Sequence, residues 1–110
     1  MNELSTREEA DALFEKGEAI LFKHNTTCPI SASAHQEMES FLSGNAGAPL
    51  YKIDINAARD VSDHVAERTG IAHESPQVIV LRGGRPAWNA SLFDITAAAL
   101  REQVGGGARA

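Results

Sequence analysis

The chain contains a single cysteine, Cys28, in the stretch Thr26-Thr27-Cys28-Pro29-Ile30-Ser31. A lone thiol makes no internal disulfide. It either packs as a small hydrophobe or acts as a reagent. Thr26, Thr27 and Pro29 suit an exposed loop better than a core, and Pro29 fits the first position of a helix. A sulfur at the leading end of a helix faces backbone N–H groups that lack intrahelical partners, and the positive end of the helix dipole. Both favour the thiolate, which is the form that attacks disulfides. Cys28 is therefore the candidate nucleophile, and thiol–disulfide exchange the candidate chemistry. Ser31 stands where a dithiol site carries its second cysteine. Its hydroxyl can hydrogen-bond the sulfur but cannot attack a mixed disulfide, so an adduct on Cys28 would wait for an external thiol. Spacing alone equally allows Ser31 to be an ordinary polar residue of a first helical turn.

Ser75-Pro76 directly precedes an apolar run. A cis bond there, of the kind found in tight turns, would leave the Ser75 backbone open for pairing with an extended substrate. His24 lies four residues before Cys28 and is a candidate to assist the thiolate. His35, His64 and His73 follow no familiar metal spacing, and His24 with Cys28 falls short of a ligand set; no metal site is expected. Trp88, the one tryptophan, is expected to pack on a sheet face.

These residues need a scaffold. Ser5 and Thr6 ahead of Glu8 and Glu9 can open a capping box, followed by a helix with Ala10, Leu13 and Phe14 on one face and a stop at Gly17. Ala19-Ile20-Leu21-Phe22 is an apolar run of strand length. The helix after Cys28 presents Ala34, Met38, Phe41 and Leu42 and ends at Gly44. Leu50 to Ile55 alternates, as a strand covered on one face does. A helix over roughly Ala57 to Thr69 turns Ala58, Val61 and Val65 inward and stops at Gly70. Val78 to Leu81 is a second continuous apolar strand, Gly83-Gly84 a hairpin turn, and Ala87 to Ala90 the return strand. Thr96 caps a last helix, with Ile95 and Leu100 spaced as a hydrophobic staple.

Continuous apolar strands belong in the sheet centre, with both faces covered. The alternating strand and the one holding Pro86 belong at edges, since proline donates nothing to a ladder. A right-handed crossover and a terminal hairpin then give four strands in the order 2-1-3-4. This predicts an α/β, thioredoxin-like fold: a mixed four-stranded sheet, helices on both faces, and an additional N-terminal helix. One domain is expected over 1–104, with a flexible glycine-rich tail over 105–110.

Composition narrows the class. The chain has 110 residues, 43% hydrophobic and 23% charged, with net charge −5. An acidic chain with no basic cluster is a poor nucleic-acid binder, and its apolar runs are too short to span a bilayer. The segment Met1 to Ser5 has none of the basic and apolar features of a secretion signal. A lone thiol suits a reducing compartment, so the cytoplasm is the expected location.

Thr27-Cys28-Pro29-Ile30-Ser31 resembles the active-site signature of the monothiol bacilliredoxins. Glu74-Ser75-Pro76-Gln77, then Gly83-Gly84 and Trp88-Asn89-Ala90-Ser91, resemble that family's C-terminal half. The likeness runs from about Leu4 to Leu100. It implies an enzyme that removes bacillithiol from mixed disulfides on client proteins. Cys28 is then catalytic, and Thr27, Pro29, Ser31, Ser75 and Pro76 shape the thiol-binding site. Bacillithiol is a co-substrate, no cofactor is bound, and the partners are bacillithiol and S-bacillithiolated proteins. Two other readings compete. One is a non-catalytic module that captures extended peptides beside Ser75-Pro76. The other is a dimer carrying an iron–sulfur cluster on one cysteine per subunit.

Overall fold

The computed structural model describes residues 1–109, with side chains described through Val104. The expectation of a flexible tail over 105–110 falls outside the fully described residues. In chain order the elements are β1 (Asn2–Glu3), α1 (Arg7–Leu13), β2 (Glu18–His24), α2 (Pro29–Ser43), β3 (Leu50–Asp54), α3 (Arg59–Thr69), β4 (Gln77–Arg82), β5 (Arg85–Ser91) and α4 (Ala97–Arg109). A short 3-10 turn, Leu92–Asp94, joins β5 to the last helix.

The sheet has five strands in the order β1-β3-β2-β4-β5. The expected order lacked the first of these. The Leu50 strand is not an edge, because Asn2 and Glu3 pair in parallel with Tyr51 and Lys52 on its outer side. Two residues without apolar character give no strand signal. What holds them is the ladder, continued by Leu4 N–H donating to the Lys52 carbonyl at 2.9 Å. β2 and β4 are central as expected, and Ala19 to Phe22 and Val78 to Leu81 have no exposed surface. β5 is the other edge. It shifts register between Val80 and Leu81, where Pro86 sits opposite Leu81, an arrangement an edge strand tolerates.

Strand parity divides the core. Ile20, Phe22, Val78 and Val80 point toward α2 and α4, packing on Ala34, Met38, Phe41 and Leu100. Ala19, Leu21, Ile79 and Leu81 point the other way, onto Leu13 of α1 and Val61 and Val65 of α3. Trp88 packs against the first of these clusters.

Several boundaries moved for local reasons. Thr6 caps α1 with a full capping box to Glu9, but the helix ends at Leu13 rather than Gly17. Beyond Leu13 the N–H groups of Glu15 and Lys16 bond three residues back, to Ala12 and Leu13. α3 begins at Arg59 because the Ala57 and Ala58 N–H groups both turn back to the Asp54 carbonyl. Thr96 caps α4, its hydroxyl accepting from Ala99 N–H at 3.1 Å, and Ile95 and Leu100 are both buried in one cluster.

Candidate active site

β2 delivers the chain to the loop that carries the cysteine. Cys28 is the N-cap of α2, with φ −111° and ψ 122°, and Pro29 opens the helix. The Ala32 N–H closes the first turn on the Cys28 carbonyl at 3.0 Å. The cysteine is free and half-buried, at the leading end of a 15-residue helix. Its side chain makes no capping hydrogen bond to that helix. Any help from the first-turn amides is therefore available to an altered sulfur rather than engaged in this state.

Two asparagines shape the loop. Asn25 Oδ1 accepts from both the N–H and the hydroxyl of Thr27, at 3.0 and 2.8 Å. Asn56, after β3, accepts from the N–H and hydroxyl of Thr26, at 3.0 and 3.1 Å. Asn56 is held in turn by its own N–H donating to Asp54 Oδ1 at 2.9 Å. The Cys28 N–H donates to the Asn25 carbonyl at 3.2 Å. Short polar side chains that bond backbone a few residues on are what fix such turns.

Thr27 and Pro29 are exposed beside the sulfur. Ser31 is not: it has no exposed surface. Its hydroxyl oxygen accepts from the Asn25 N–H at 2.9 Å and lies 2.7 Å from His24 Nδ1. Neither of these hydrogen bonds is made to the cysteine sulfur.

The Ser75–Pro76 bond is cis. β4 runs antiparallel to β2 with Gln77 opposite Lys23, so Pro76 arrives level with His24, at the sheet end where Cys28 stands. Pro76 is buried, Ser75 half-buried, and the Pro76 carbonyl accepts from the Leu92 N–H at 3.1 Å. The fold therefore brings Thr27, Cys28, Pro29, Ser75 and Pro76 to one end of the sheet, with Ser31 beneath them.

Two buried residues at the end of β2 flank the site. His24 faces α2, stacked on Phe22 with centroids 5.4 Å apart and 4.9 Å from the His35 ring. Burial, then the neighbouring His35 and Lys52, hold its pKa below the usual histidine range, against the pull of Asp54. Lys23 faces α3 and has no exposed surface. Its Nζ donates to the Ser62 carbonyl at 3.0 Å. Burial lowers its pKa to about 8, with Asp63 opposing and Arg59 reinforcing. Sequence reading named His24 as a candidate to assist the thiolate but placed none of Lys23, Asn25 and Asn56 in the site. For His24 the signal was there: counting by twos along β2 puts it on the face of Ile20 and Phe22. Among the described residues no group of three or more His, Cys, Asp or Glu side chains is arranged to hold a metal ion.

A thioredoxin-like sheet with one free cysteine at the start of α2 and a cis-proline beside it defines a thiol oxidoreductase. The comparisons agree. A presumed oxidoreductase with a thioredoxin fold matches at 31% identity and TM-score 0.86, over 92% of this chain and 90% of that one. Fasciola hepatica thioredoxin matches at 15% identity and TM-score 0.77, over 96% and 98%. Chloroplastic thioredoxin z matches at 19% identity and TM-score 0.76, over 100% and 96%. The last two show the fold alone. Residues 2–100 match the family model described as monothiol bacilliredoxin BrxC, and the chain belongs to that family.

Proposed function

We propose that this chain is a monothiol oxidoreductase that strips bacillithiol from mixed disulfides on client proteins. The observation that carries the reading is the lone, half-buried Cys28 at the N-cap of α2, in a chain of the monothiol bacilliredoxin family. With serine rather than cysteine at position 31, no internal thiol can resolve an adduct.

The cycle has two exchanges. The Cys28 thiolate attacks the bacillithiol sulfur of the client's mixed disulfide. That S–S bond breaks, the client leaves as a thiolate and takes a proton, and a Cys28–bacillithiol disulfide remains. The thiolate of a second bacillithiol then attacks the bacillithiol sulfur of this adduct and expels Cys28 as thiolate. Over the cycle the client sulfur passes from disulfide to thiol, the second bacillithiol passes from thiol to disulfide, and one S–S bond has been exchanged for another, leaving bacillithiol disulfide. A flavin-dependent NADPH reductase elsewhere would return the disulfide to thiol. Thr27 and Pro29 line the approach to the sulfur, and the Ser75 backbone offers an edge for an extended client.

The test is intact-mass analysis after incubation with bacillithiol disulfide and, separately, glutathione disulfide. Expected is a single adduct on Cys28, formed faster from bacillithiol disulfide and absent in Cys28→Ser. Equal rates with the two disulfides would remove the bacillithiol assignment. No adduct from either would remove the enzymatic reading.

A further inference from the structure

We propose that His24 is a positioning residue for Cys28, acting through Ser31: its Nδ1 decides which partner receives the Ser31 hydroxyl proton. The proposal rests on Cys28 being the reacting group, but not on which low-molecular-weight thiol it meets.

The argument is a count of hydrogen-bond capacity. A serine hydroxyl has one proton to donate and two lone pairs to accept with. The Asn25 N–H at 2.9 Å can only donate, so it fills one lone pair under all conditions. The His24 contact at 2.7 Å has two possible directions. With His24 neutral and its proton on Nε2, Nδ1 accepts and the Ser31 proton is committed to it. When His24 takes a proton from solvent, Nδ1 becomes a donor and fills the second lone pair. The Ser31 proton is then released, in a position with no exposed surface where it needs a new acceptor.

The fold supplies one. Pro29 is the first residue of α2, so Ser31 is the third, and Cys28 is the N-cap. N-cap and third residue face each other across a helix's first turn, as in a capping box. The Cys28 sulfur can therefore rotate to receive the Ser31 proton. A hydrogen bond to the charged form favours thiolate, both when Cys28 attacks and when it leaves.

The groups around His24 set when this happens. His35 faces it from α2, and His35 in turn stands 3.7 Å from Glu39. Lys52 and Asp54 face it from β3. Burial together with His35 and Lys52 keeps the ring neutral near pH 7, which matches a Ser31 not bonded to the sulfur. Acidification reverses the bond and gives the sulfur a donor as proton activity rises.

The test uses the neutral disulfide 2,2′-dithiodipyridine, with the Cys28 reaction rate followed from pH 4 to 9. A hydrogen bond to a charged group raises the thiolate fraction by roughly tenfold or more. The accompanying loss of nucleophilicity takes back about half of that on a logarithmic scale, leaving on the order of threefold. The wild-type profile should therefore lie about threefold above a single-ionisation curve on its acid side. His24→Asn keeps a polar atom near the Nδ1 position but does not titrate, and Ser31→Ala removes the relay. Each should reduce the profile to one ionisation, and the double variant should add nothing.

A single ionisation in the wild type overturns the proposal and leaves the bacillithiol assignment untouched. Persistence of the acid-side excess in His24→Asn also overturns it. If Ser31→Ala keeps the excess while His24→Asn loses it, His24 acts by charge alone and the relay is wrong. An acid-side excess that depends on both residues upholds it, even in a protein indifferent to bacillithiol disulfide. Should the variants fail to fold, nitrogen-15 NMR of the wild type decides: unprotonated Nδ1 of His24 at pH 7 is required, and a protonated Nδ1 refutes the relay.

Discussion

Lys23 on β2 and Ser62 on α3 are joined by a 3.0 Å hydrogen bond from the ammonium to the backbone carbonyl, at a place where neither side chain has exposed surface. The same serine bonds His73 through its hydroxyl at 2.9 Å. Ser62 thus connects the end of β2 to the segment that leads into cis-Pro76. Burying an ammonium costs free energy that one hydrogen bond only partly offsets, and the lowered pKa of Lys23 expresses that cost.

Stability should therefore rise with alkaline pH. The folded chain releases the Lys23 proton near pH 8, whereas the unfolded chain holds it to about 10.5. Between those values the unfolded state binds more protons, so unfolding becomes harder as pH increases. The gain is up to about 3 kcal/mol across this window. Urea unfolding at pH 7.5, 9 and 10.5 should show it in the wild type relative to Lys23→Met, which lacks the titrating group. Parallel stability profiles for the two proteins would show that Lys23 is not the source.

Acid acts through the neighbouring histidine in the opposite sense. Burial, with Lys23 and Arg59, keeps His73 below the usual histidine range, while Asp63 and Glu74 oppose. The unfolded chain takes up this proton first as pH falls below 6.5, so stability is lost from there downward. His73→Asn keeps a polar atom toward Ser62 without the titration. Its unfolding free energy should fall less steeply than that of the wild type between pH 7 and 5, measured by the same denaturant series.

The β4–β5 turn separates two kinds of glycine requirement. Gly83 and Gly84 have φ +62° and +78°, a pair of positive values that a two-residue hairpin turn needs. A Cβ on Gly83 meets nothing nearby, but one on Gly84 would overlap the Phe14 carbonyl oxygen at the end of α1. Gly83→Ala should cost about 1 kcal/mol for the left-handed backbone alone. Gly84→Ala should cost at least about twice as much, since backbone must move. Thermal unfolding of the two variants side by side checks the ordering.

The residues that announce themselves in the sequence are those whose signal is local. Cys28-Pro29 marks a helix start because proline suits the first helical position, and Thr6 with Glu9 forms a cap within four residues. The apolar runs at Ala19 and Val78 reveal central strands because burial on both faces removes the alternation. What stays hidden depends on distant partners. Asn2–Glu3 is a strand only because β3 offers an open edge. Lys23 reads as the polar end of an apolar run, and only the packing of α3 shows that its ammonium is buried. Ser31 stands where a resolving cysteine would be, which draws attention to the sulfur. Its actual partners, His24 and Asn25, come into reach when the strand-to-helix loop folds back over α2.

Asn56 offers the sharpest separation of loop geometry from chemistry. It touches neither the sulfur nor the cis-proline by any hydrogen bond described above. It accepts twice from Thr26 through its side-chain oxygen, while its backbone N–H is held by Asp54. The exposed loop before Cys28 is thereby fastened to the segment after β3, and Asn25 fastens Thr27 independently. Removing the Asn56 amide leaves the Asn25 turn and the first turn of α2 intact but frees Thr26 to move. Asn56→Ala should lower stability by only about 1 kcal/mol, because the bonds it loses are exposed to water that can replace them. A loosened approach to the sulfur should slow reaction with a mixed disulfide several-fold more than reaction with 2,2′-dithiodipyridine, since only the larger substrate rests on the loop. Stopped-flow rates for both reagents with the same protein supply the comparison. Equal slowing of the two would mean that Asn56 tunes the sulfur itself and not the path to it.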